Sequence, residues 1–256
     1  MKTGEAKRKE ALEAPRGVAL PKFPKLSALT NGLTGVCVLA GATGVGKTTL
    51  ARLIAYSIVG PRRTGVFLDL ENNHTGDRDK ATSEMLALLG SDAAERFNRF
   101  MLFPDDYREL VEFVSLRPAG EHLFIVLDNI QLLADRVRGQ ADESRPVIGK
   151  VMDNLVQWAE AGHVVLVLSQ ISRAAYKGRP SLRHLSDSAA IERAASLVLV
   201  LWRPDRNDAS MLRVDIEKAR YGPLPRAGMT LRRDGYDLCE IGFVEHPGRR
   251  DHRRAA

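Results

Sequence analysis

An eight-residue stretch in the first fifth of the chain has residue types that could bind phosphate. Residues 41–48 read Gly-Ala-Thr-Gly-Val-Gly-Lys-Thr, which is the spacing G-x-x-x-x-G-K-[ST] of a phosphate-binding loop. Its glycines have no Cβ atoms to keep backbone N–H groups from an anion. We expect Lys47 to contact the β- and γ-phosphates and Thr48 to place its hydroxyl on Mg²⁺, since a hard cation prefers oxygen ligands. The predicted nucleotide-binding residues are Gly41, Ala42, Thr43, Gly44, Val45, Gly46, Lys47, Thr48 and Thr49.

The flanks of this stretch favour the phosphate loop over a glycine-rich turn that merely joins a strand to a helix. Residues 36–40 form a short apolar run typical of a buried parallel strand, and residues 49–55 have helical apolar spacing. The order of strand, glycine loop and helix is therefore the one that a phosphate-binding loop requires. A helix that starts near Gly46 would direct its positive end at the anion.

Three further apolar runs end in polar side chains. Glu71 follows residues 65–70, Asp128 follows residues 123–127, and Gln170 closes residues 163–170. Open α/β sheets build their sites at the carboxyl ends of strands, so we expect Asp128 to be the acidic magnesium partner of Thr48. The alternative is that Asp128 only caps a helix. Gln170 could orient a water or sense the γ-phosphate.

The pattern of apolar runs predicts one α/β domain with a mostly parallel twisted sheet, flanking helices and antiparallel C-terminal strands. The helices are expected over residues 49–55, 81–89, 105–116 and 145–161. The strands are expected over residues 36–40, 65–71, 99–103, 123–128, 163–170, 197–202 and 212–216, followed by a hairpin over 231–241. We expect the domain to span residues 17–243, after an N-terminal tail or linker helix (1–16) and before a basic tail (244–256).

Composition limits the class of protein. The chain has 256 residues, of which 44% are hydrophobic and 27% are charged, and no apolar stretch approaches the ~20 residues that span a bilayer. We therefore expect a cytoplasmic protein that does not enter a membrane. Two cysteines, Cys37 and Cys239, do not support a disulfide framework or a zinc site. The formal charge of +6 is weak evidence for nucleic acid, because part of the excess lies in the last residues.

The order of the motifs resembles the RecA-type ATPase core and, within it, the C-terminal motor domain of DnaB-like replicative DNA helicases. The resemblance is collinear from about residue 17 to about residue 241. Four stretches carry it: Leu-Asp-Asn-Ile-Gln-Leu (127–132), Leu-Ser-Gln-Ile-Ser-Arg (168–173), Leu-Ser-Asp-Ser-Ala-Ala-Ile-Glu (185–192) and Lys-Ala-Arg-Tyr-Gly-Pro (218–223), which matches the family signature K-x-R-x-G-P.

The resemblance implies a RecA-like fold, ATP with Mg²⁺ as cofactors, and roles for individual residues. Glu71 would polarise the attacking water, Asp128 would hold Mg²⁺ through water, and Gln170 would couple the γ-phosphate to the loop that follows it. Lys218 and Arg220 would act on the nucleotide of the adjacent subunit, where positioned cations stabilise charge on the γ-phosphoryl group. The alternative for these two cations is a solvated strand end.

Two polar segments, residues 134–145 and 173–183, correspond to the loops that line the central channel in the helicase family. Sequence-independent contact with a phosphate backbone suits such basic segments, and its strength falls steeply with salt. The alternative is that each cation is a solvated surface charge. The predicted DNA-binding residues are Arg136, Arg138, Lys177, Arg179 and Arg183.

Taken together, the motifs and the resemblance predict an ATP-hydrolysing helicase or translocase motor that acts on single-stranded DNA in replication or repair. Its expected partners are single-stranded DNA, further copies of the chain in a hexameric ring or filament, and a replication or repair protein. The alternative is a regulatory ATPase of the same fold that uses ATP to assemble and to bind a protein. DNA-stimulated ATPase activity separates the two.

Overall fold

The computed structural model describes residues 17–71, 75–118, 120–138, 144–172, 178–185 and 188–245. The expectations for residues 1–16 and for the end of the basic tail lie outside these ranges. The helices are α1 (Pro24–Thr30), α2 (Lys47–Ile58), α3 (Thr75–Leu89), α4 (Ser91–Phe100), α5 (Tyr107–Ser115), α6 (Ile130–Arg138), α7 (Ser144–Glu160) and α8 (Ser188–Ala194). The strands are β1 (Val36–Gly41), β2 (Thr64–Asp69), β3 (Met101–Leu102), β4 (Leu123–Asp128), β5 (Val164–Gln170), β6 (Leu197–Trp202), β7 (Met211–Ala219), β8 (Ala227–Asp234) and β9 (Asp237–Glu245).

These strands form one sheet in the order β3-β2-β4-β5-β1-β6-β7-β8-β9. Pairing is parallel from β3 to β6 and antiparallel from β6 to β9. The predicted fold class is therefore confirmed. Every residue of β1 and β4 is buried, as expected for central strands that helices cover on both faces.

The side chains of the central strands alternate between two apolar layers. On β4, Phe124 and Val126 face the layer that contains α2, while Leu123, Ile125 and Leu127 face the layer that contains α6 and α7. The sheet is thereby packed between two layers of helices. The predicted site residues lie at the carboxyl ends of the parallel strands, which both layers position.

The expected third strand over residues 99–103 is wrong in extent. Helix α4 continues to Phe100, and only Met101 and Leu102 pair with β2 at the edge of the sheet. Phe100 instead ends the helix and packs against the core, as does Phe97, whose ring centroid lies 4.7 Å from that of Tyr56. Packing of that helix face against the core prevails over the local strand pattern.

Other boundaries differ less from the expected ones. Helix α3 begins at Thr75, six residues before the expected residue 81, and the closing hairpin is longer than expected. Strand β9 runs to Glu245, two residues beyond the expected end of the domain. Within the described ranges, helices fall short of the length and apolar character needed to cross a membrane.

Candidate active site

The predicted phosphate loop leaves the end of β1 and turns into the start of α2. Gly44 and Gly46 have φ values of 70° and 109°, which L side chains rarely adopt. A Cβ on Gly41 would lie 2.6 Å from the carbonyl oxygen of Leu201, so β6 also requires a glycine there. The first turn of α2 has no side-chain cap on Gly46, and its N–H groups point into the loop.

Lys47 is folded into this loop and is only 7% exposed. Its Nζ donates to the carbonyl oxygens of Gly41, at 3.1 Å, and Ala42, at 3.0 Å. Burial lowers the pKa of Lys47, against the carboxylates of Asp128 and Glu71, which raise it. The ammonium is thus placed where an anion in the loop would meet it.

Thr48 and Asp128 join the loop to the end of β4. The hydroxyl of Thr48 donates to Asp128 Oδ2 at 2.6 Å, and Asp128 is 1% exposed. Burial raises the pKa of Asp128 to about 7; the hydrogen bond from Thr48 opposes this rise, while the charges of Glu71 and Asp69 add to it. Its Oδ1 is buried and has no hydrogen-bond partner among the described residues.

This arrangement fits a magnesium ion. The two side chains present oxygen atoms, the donor type that Mg²⁺ prefers, and a cation would satisfy the buried Oδ1 of Asp128. Over the described ranges, no group of three or more His, Cys, Asp or Glu gathers to hold a metal. A cation held by Thr48 and Asp128 would therefore take its other ligands from phosphate and water.

A second carboxylate, Glu71, lies just past β2, the neighbour of β4. Its Oε1 accepts a hydrogen bond from Nδ2 of Asn129, which follows Asp128 through a cis peptide bond. Its backbone N–H donates to Asp69 Oδ1 at 3.2 Å. Asn129 is not among the residues predicted from the sequence, although an Asn directly before a helix is a frequent N-cap.

A buried ion pair below the site was also not predicted. Arg52 Nη2 lies 2.6 Å from Asp69 Oδ2, and the two side chains are 5% and 3% exposed. The Arg52 guanidinium lies 5.8 Å from the centre of the Phe67 ring. A lone arginine among the apolar residues of α2 is the signal in the sequence that could have revealed it. The pair ties the phosphate-loop helix to the strand that carries Glu71.

Gln170 ends β5, which lies between the strands of Asp128 and of the phosphate loop. In the β-ladder it is the partner of Gly41. Its backbone N–H donates to Gln131 Oε1 at 3.1 Å, and Gln131 Nε2 donates to Ser169 Oγ at 3.0 Å. The structure thus brings five predicted residues together at the carboxyl ends of the parallel strands: Lys47, Thr48, Glu71, Asp128 and Gln170.

A cavity of about 330 Å³ opens beside the phosphate loop, on the side of β6. Arg203, another residue that sequence reasoning missed, donates from Nη2 to the carbonyl oxygen of Gly44 at 3.0 Å. The residues that line the cavity include Ala42, Thr43, Val45, Gly178, Pro180, Trp202 and Arg203.

Two of the predicted DNA-binding arginines make contacts within the chain. Arg136 Nη2 donates to the carbonyl oxygen of Leu70 at 2.8 Å. Arg179 binds two carboxylates of β7, with Nε 2.8 Å from Asp215 and Nη2 2.6 Å from Glu217. Arg183 is exposed. The side chain of Arg138 and the whole of Lys177 lie outside the described parts, so DNA binding by these five residues remains a prediction.

Lys218 and Arg220 are not brought to the phosphate loop. Lys218 Nζ donates to the carbonyl oxygen of Glu192, and Arg220 Nη2 donates to that of Arg193 at 2.5 Å. Burial lowers the pKa of Lys218, and the nearby charge of Arg220 lowers it further. The predicted site residues therefore form two groups within one chain.

Residues 112–235 match the model of the DnaB-like helicase C-terminal domain. A comparison with curated proteins gave no match.

Three solved structures have a similar fold. One, described as an ATPase domain, has 20% identity and a TM-score of 0.69, over 92% of this chain and 95% of that one. A DnaB-like replicative helicase, described with its interactions with primase, has 20% identity and a TM-score of 0.72, over 94% and 67%. A KaiC-like protein from Pyrococcus horikoshii has 21% identity and a TM-score of 0.63, over 88% and 98%. The chain therefore has a RecA-like fold, and its sequence over residues 112–235 resembles the C-terminal domain of DnaB-like helicases.

Proposed function

We propose that this chain hydrolyses ATP and couples hydrolysis to movement along single-stranded DNA, as a motor that assembles head to tail. The observation that carries the proposal is that Lys47, Thr48, Asp128 and Glu71 come together at the carboxyl ends of the parallel strands. A phosphate-binding loop, the side-chain oxygens of Thr48 and Asp128, and the carboxylate of Glu71 are the parts that phosphoryl transfer to water needs.

In the nucleotide complex the phosphates lie against the loop and the N-terminal end of α2. Lys47 turns its ammonium from the carbonyl oxygens of Gly41 and Ala42, its partners at 3.1 and 3.0 Å, to the β- and γ-phosphates. Thr48 and Asp128 would hold Mg²⁺, whose charge would neutralise the phosphate oxygens. The nucleoside enters the cavity of about 330 Å³ beside Trp202 and Arg203.

Hydrolysis uses Glu71 as the base. The carboxylate takes a proton from a water whose oxygen attacks the γ-phosphorus, and the bond from that phosphorus to the β–γ bridging oxygen breaks. ADP and phosphate are the products. Gln170 lies on the strand next to the phosphate loop. It contacts the γ-phosphate and couples nucleotide binding to the loop after β5.

The test is an ATPase titration with single-stranded DNA. We expect the full-length chain to hydrolyse ATP, with a turnover number that rises with DNA, and Lys47→Ala to abolish turnover while circular dichroism stays unchanged. Lys80→Ala, which removes an exposed lysine from α3, is the matched control and should behave as the unaltered chain does. Hydrolysis that DNA does not stimulate would overturn the motor and leave a regulatory ATPase. Unchanged turnover in Lys47→Ala would overturn the site.

A further inference from the structure

Asn129 occupies a buried position between the two carboxylates of the site. It is 0% exposed and lies directly after Asp128 at the end of β4. The neighbouring strand β2 brings Glu71, which is 58 residues away in sequence, within hydrogen-bond distance of it. Glu71 itself is exposed. One side of the contact is therefore fixed in the core, and the other is a side chain at the surface.

The orientation of the Asn129 amide follows from its second contact. Its Oδ1 accepts the backbone N–H of Leu132 at 3.0 Å, as an N-cap of α6 does. A backbone N–H can only donate, so the amide oxygen must face α6. The NH₂ group must then face Glu71, whose carboxylate can only accept. Rotation of the amide by 180° would break both hydrogen bonds.

This contact decides which rotamers Glu71 can adopt. An exposed Glu side chain samples many rotamers, and a general base contributes most when it is held in reach of the proton that it takes. The helix cap fixes Asn129, and Asn129 in turn fixes Oε1 of Glu71. Oε2 is then the oxygen in position to face a water at the γ-phosphate.

We infer that Asn129 is a positioning residue for hydrolysis, which anchors Oε1 of Glu71 and so presents Oε2 to the attacking water. The inference rests on the proposed role of Glu71 as the base. It assigns Asn129 a task in the chemical step, separate from the magnesium site next to it in sequence and from its contribution to α6.

Two substitutions separate this task from helix capping. Asn129→Asp keeps an oxygen for the N–H of Leu132 and loses the donor to Glu71. Asn129→Ser also caps well and carries no charge, but its hydroxyl is too short to bridge to Glu71. Asn154→Asp is the matched control, because the Asn154 amide donates to the hydroxyl of Tyr107 at 3.3 Å, away from the site.

The experiment measures turnover at saturating ATP, nucleotide affinity and melting temperature for the full-length chain with single-stranded DNA. We expect both Asn129 variants to lose about 10- to 100-fold in turnover, the scale of a misplaced catalytic group, with nucleotide affinity unchanged. The uncharged Asn129→Ser should also leave the melting temperature unchanged. In a Glu71→Gln background, Asn129→Asp should have no further effect on the residual rate, since both changes disable one step. Asn154→Asp should retain full turnover.

The outcomes distinguish this inference from the proposed function. Normal turnover in both Asn129 variants would overturn the positioning role and leave ATP hydrolysis intact. A loss that persists in the Glu71→Gln background, or that follows the melting temperature, would assign Asn129 to capping alone. Absence of hydrolysis in the unaltered chain would overturn both proposals.

Discussion

Arg220 and Lys47 lie at opposite ends of the central strands. Ala219, the residue before Arg220, pairs with Leu197 on β6, and Leu197 pairs with Cys37 near the start of β1. Lys47 belongs to the loop that leaves the other end of β1, after Gly41. The four steps along the strand from Cys37 to Gly41 rise about 3.3 Å each, so roughly 13 Å of strand separates the two levels.

This separation supports completion of the active site between subunits. Within one chain Arg220 does not approach the phosphate loop, but the Arg220 of a head-to-tail neighbour can. Contacts of this kind close into rings or continue as filaments. We expect Arg220→Ala to lower hydrolysis by about 10³-fold or more, the scale of a lost arginine finger, and to leave nucleotide binding intact. ATPase assays and binding of a fluorescent nucleotide measure the two effects.

Mixing two inactive variants tests the same relationship directly. Arg220→Ala keeps a competent phosphate loop, and Lys47→Ala keeps its arginine, so interfaces that pair the two should recover activity. The assay varies their ratio, with mixed assembly confirmed by native mass spectrometry. No recovery at any ratio would show that Arg220 does not act across the interface.

Glu71→Gln should keep nucleotide affinity and lose hydrolysis. The amide oxygen of Gln can still accept the hydrogen bond from Asn129, so the shape of the site is retained while the basic oxygen is lost. We expect turnover to fall by about 100-fold or more, within the range for removal of a general base. Single-turnover hydrolysis and equilibrium binding separate the two quantities. Glu84→Gln, on the exposed side of α3, is the control; normal turnover in Glu71→Gln would require another base.

The basic segments should determine the salt dependence of DNA binding. Each phosphate contact on single-stranded DNA contributes about 0.7 to the slope of log K against log salt, so removing four cations should flatten it by up to about 3. The variant carries alanine at Arg138, Lys177, Arg179 and Arg183. Filter binding at several salt concentrations measures the slope.

Two controls accompany this measurement. A variant without Arg249, Arg250, Arg253 and Arg254 removes four cations of the basic tail, and an equal loss for both variants would reject the channel. Arg179→Ala must be measured alone, because Arg179 already binds Asp215 and Glu217 at 2.8 and 2.6 Å. An unchanged slope in that variant would assign Arg179 to its ion pairs with β7 and not to DNA.

The buried pair of Arg52 and Asp69 should contribute to stability. Removing one partner leaves a buried charge uncompensated, so we expect Asp69→Ala to lower the free energy of unfolding by about 3 kcal/mol. Arg52→Leu should have an effect of similar size, and the double variant should lose less than the sum. Urea unfolding measures these changes. Glu121→Ala is the control, because its pair with Arg117 is exposed and contributes less than about 1 kcal/mol; equal effects would contradict the prediction.

The two cysteines should differ in reactivity. Burial raises the pKa of Cys37 to about 12, so its thiol stays protonated and shielded in the folded chain. Cys239 is exposed, and the hydrogen bond to Asp237 raises its pKa. A chromogenic disulfide reagent should therefore modify Cys239 alone in the folded chain, and both thiols after unfolding.

The charge of Asp237 provides the pH test. Asp237→Asn removes the acceptor that raises the pKa of Cys239, so the rate–pH profile should move to lower pH. A fall of half a unit would increase the thiolate fraction roughly threefold below the pKa. Asp234→Asn, on the same hairpin, is the control. An unmoved profile in Asp237→Asn would contradict this coupling.

The sequence by itself determined the glycine-rich loop between a strand and a helix, the order of the strands along the chain and the acids at or just past the ends of two of them. These features are local: the spacing of glycines around residues 41–48 and apolar runs such as 123–127 can be recognised without knowledge of distant contacts. The third strand was predicted too long, because a short apolar run at the end of α4 does not distinguish a helix from a strand.

Only the tertiary structure decided which of these residues meet. Asn129 and Glu71 are 58 residues apart in sequence, and Arg52 and Asp69 are 17 apart on different elements. The order β2-β4-β5-β1 places the acids and the glycine-rich loop together at the carboxyl ends of the parallel strands. Strand β7 runs antiparallel to β6 and therefore carries Arg220 to the opposite end. Strand order and direction come from packing whole elements against each other, and no local spacing of residues encodes them.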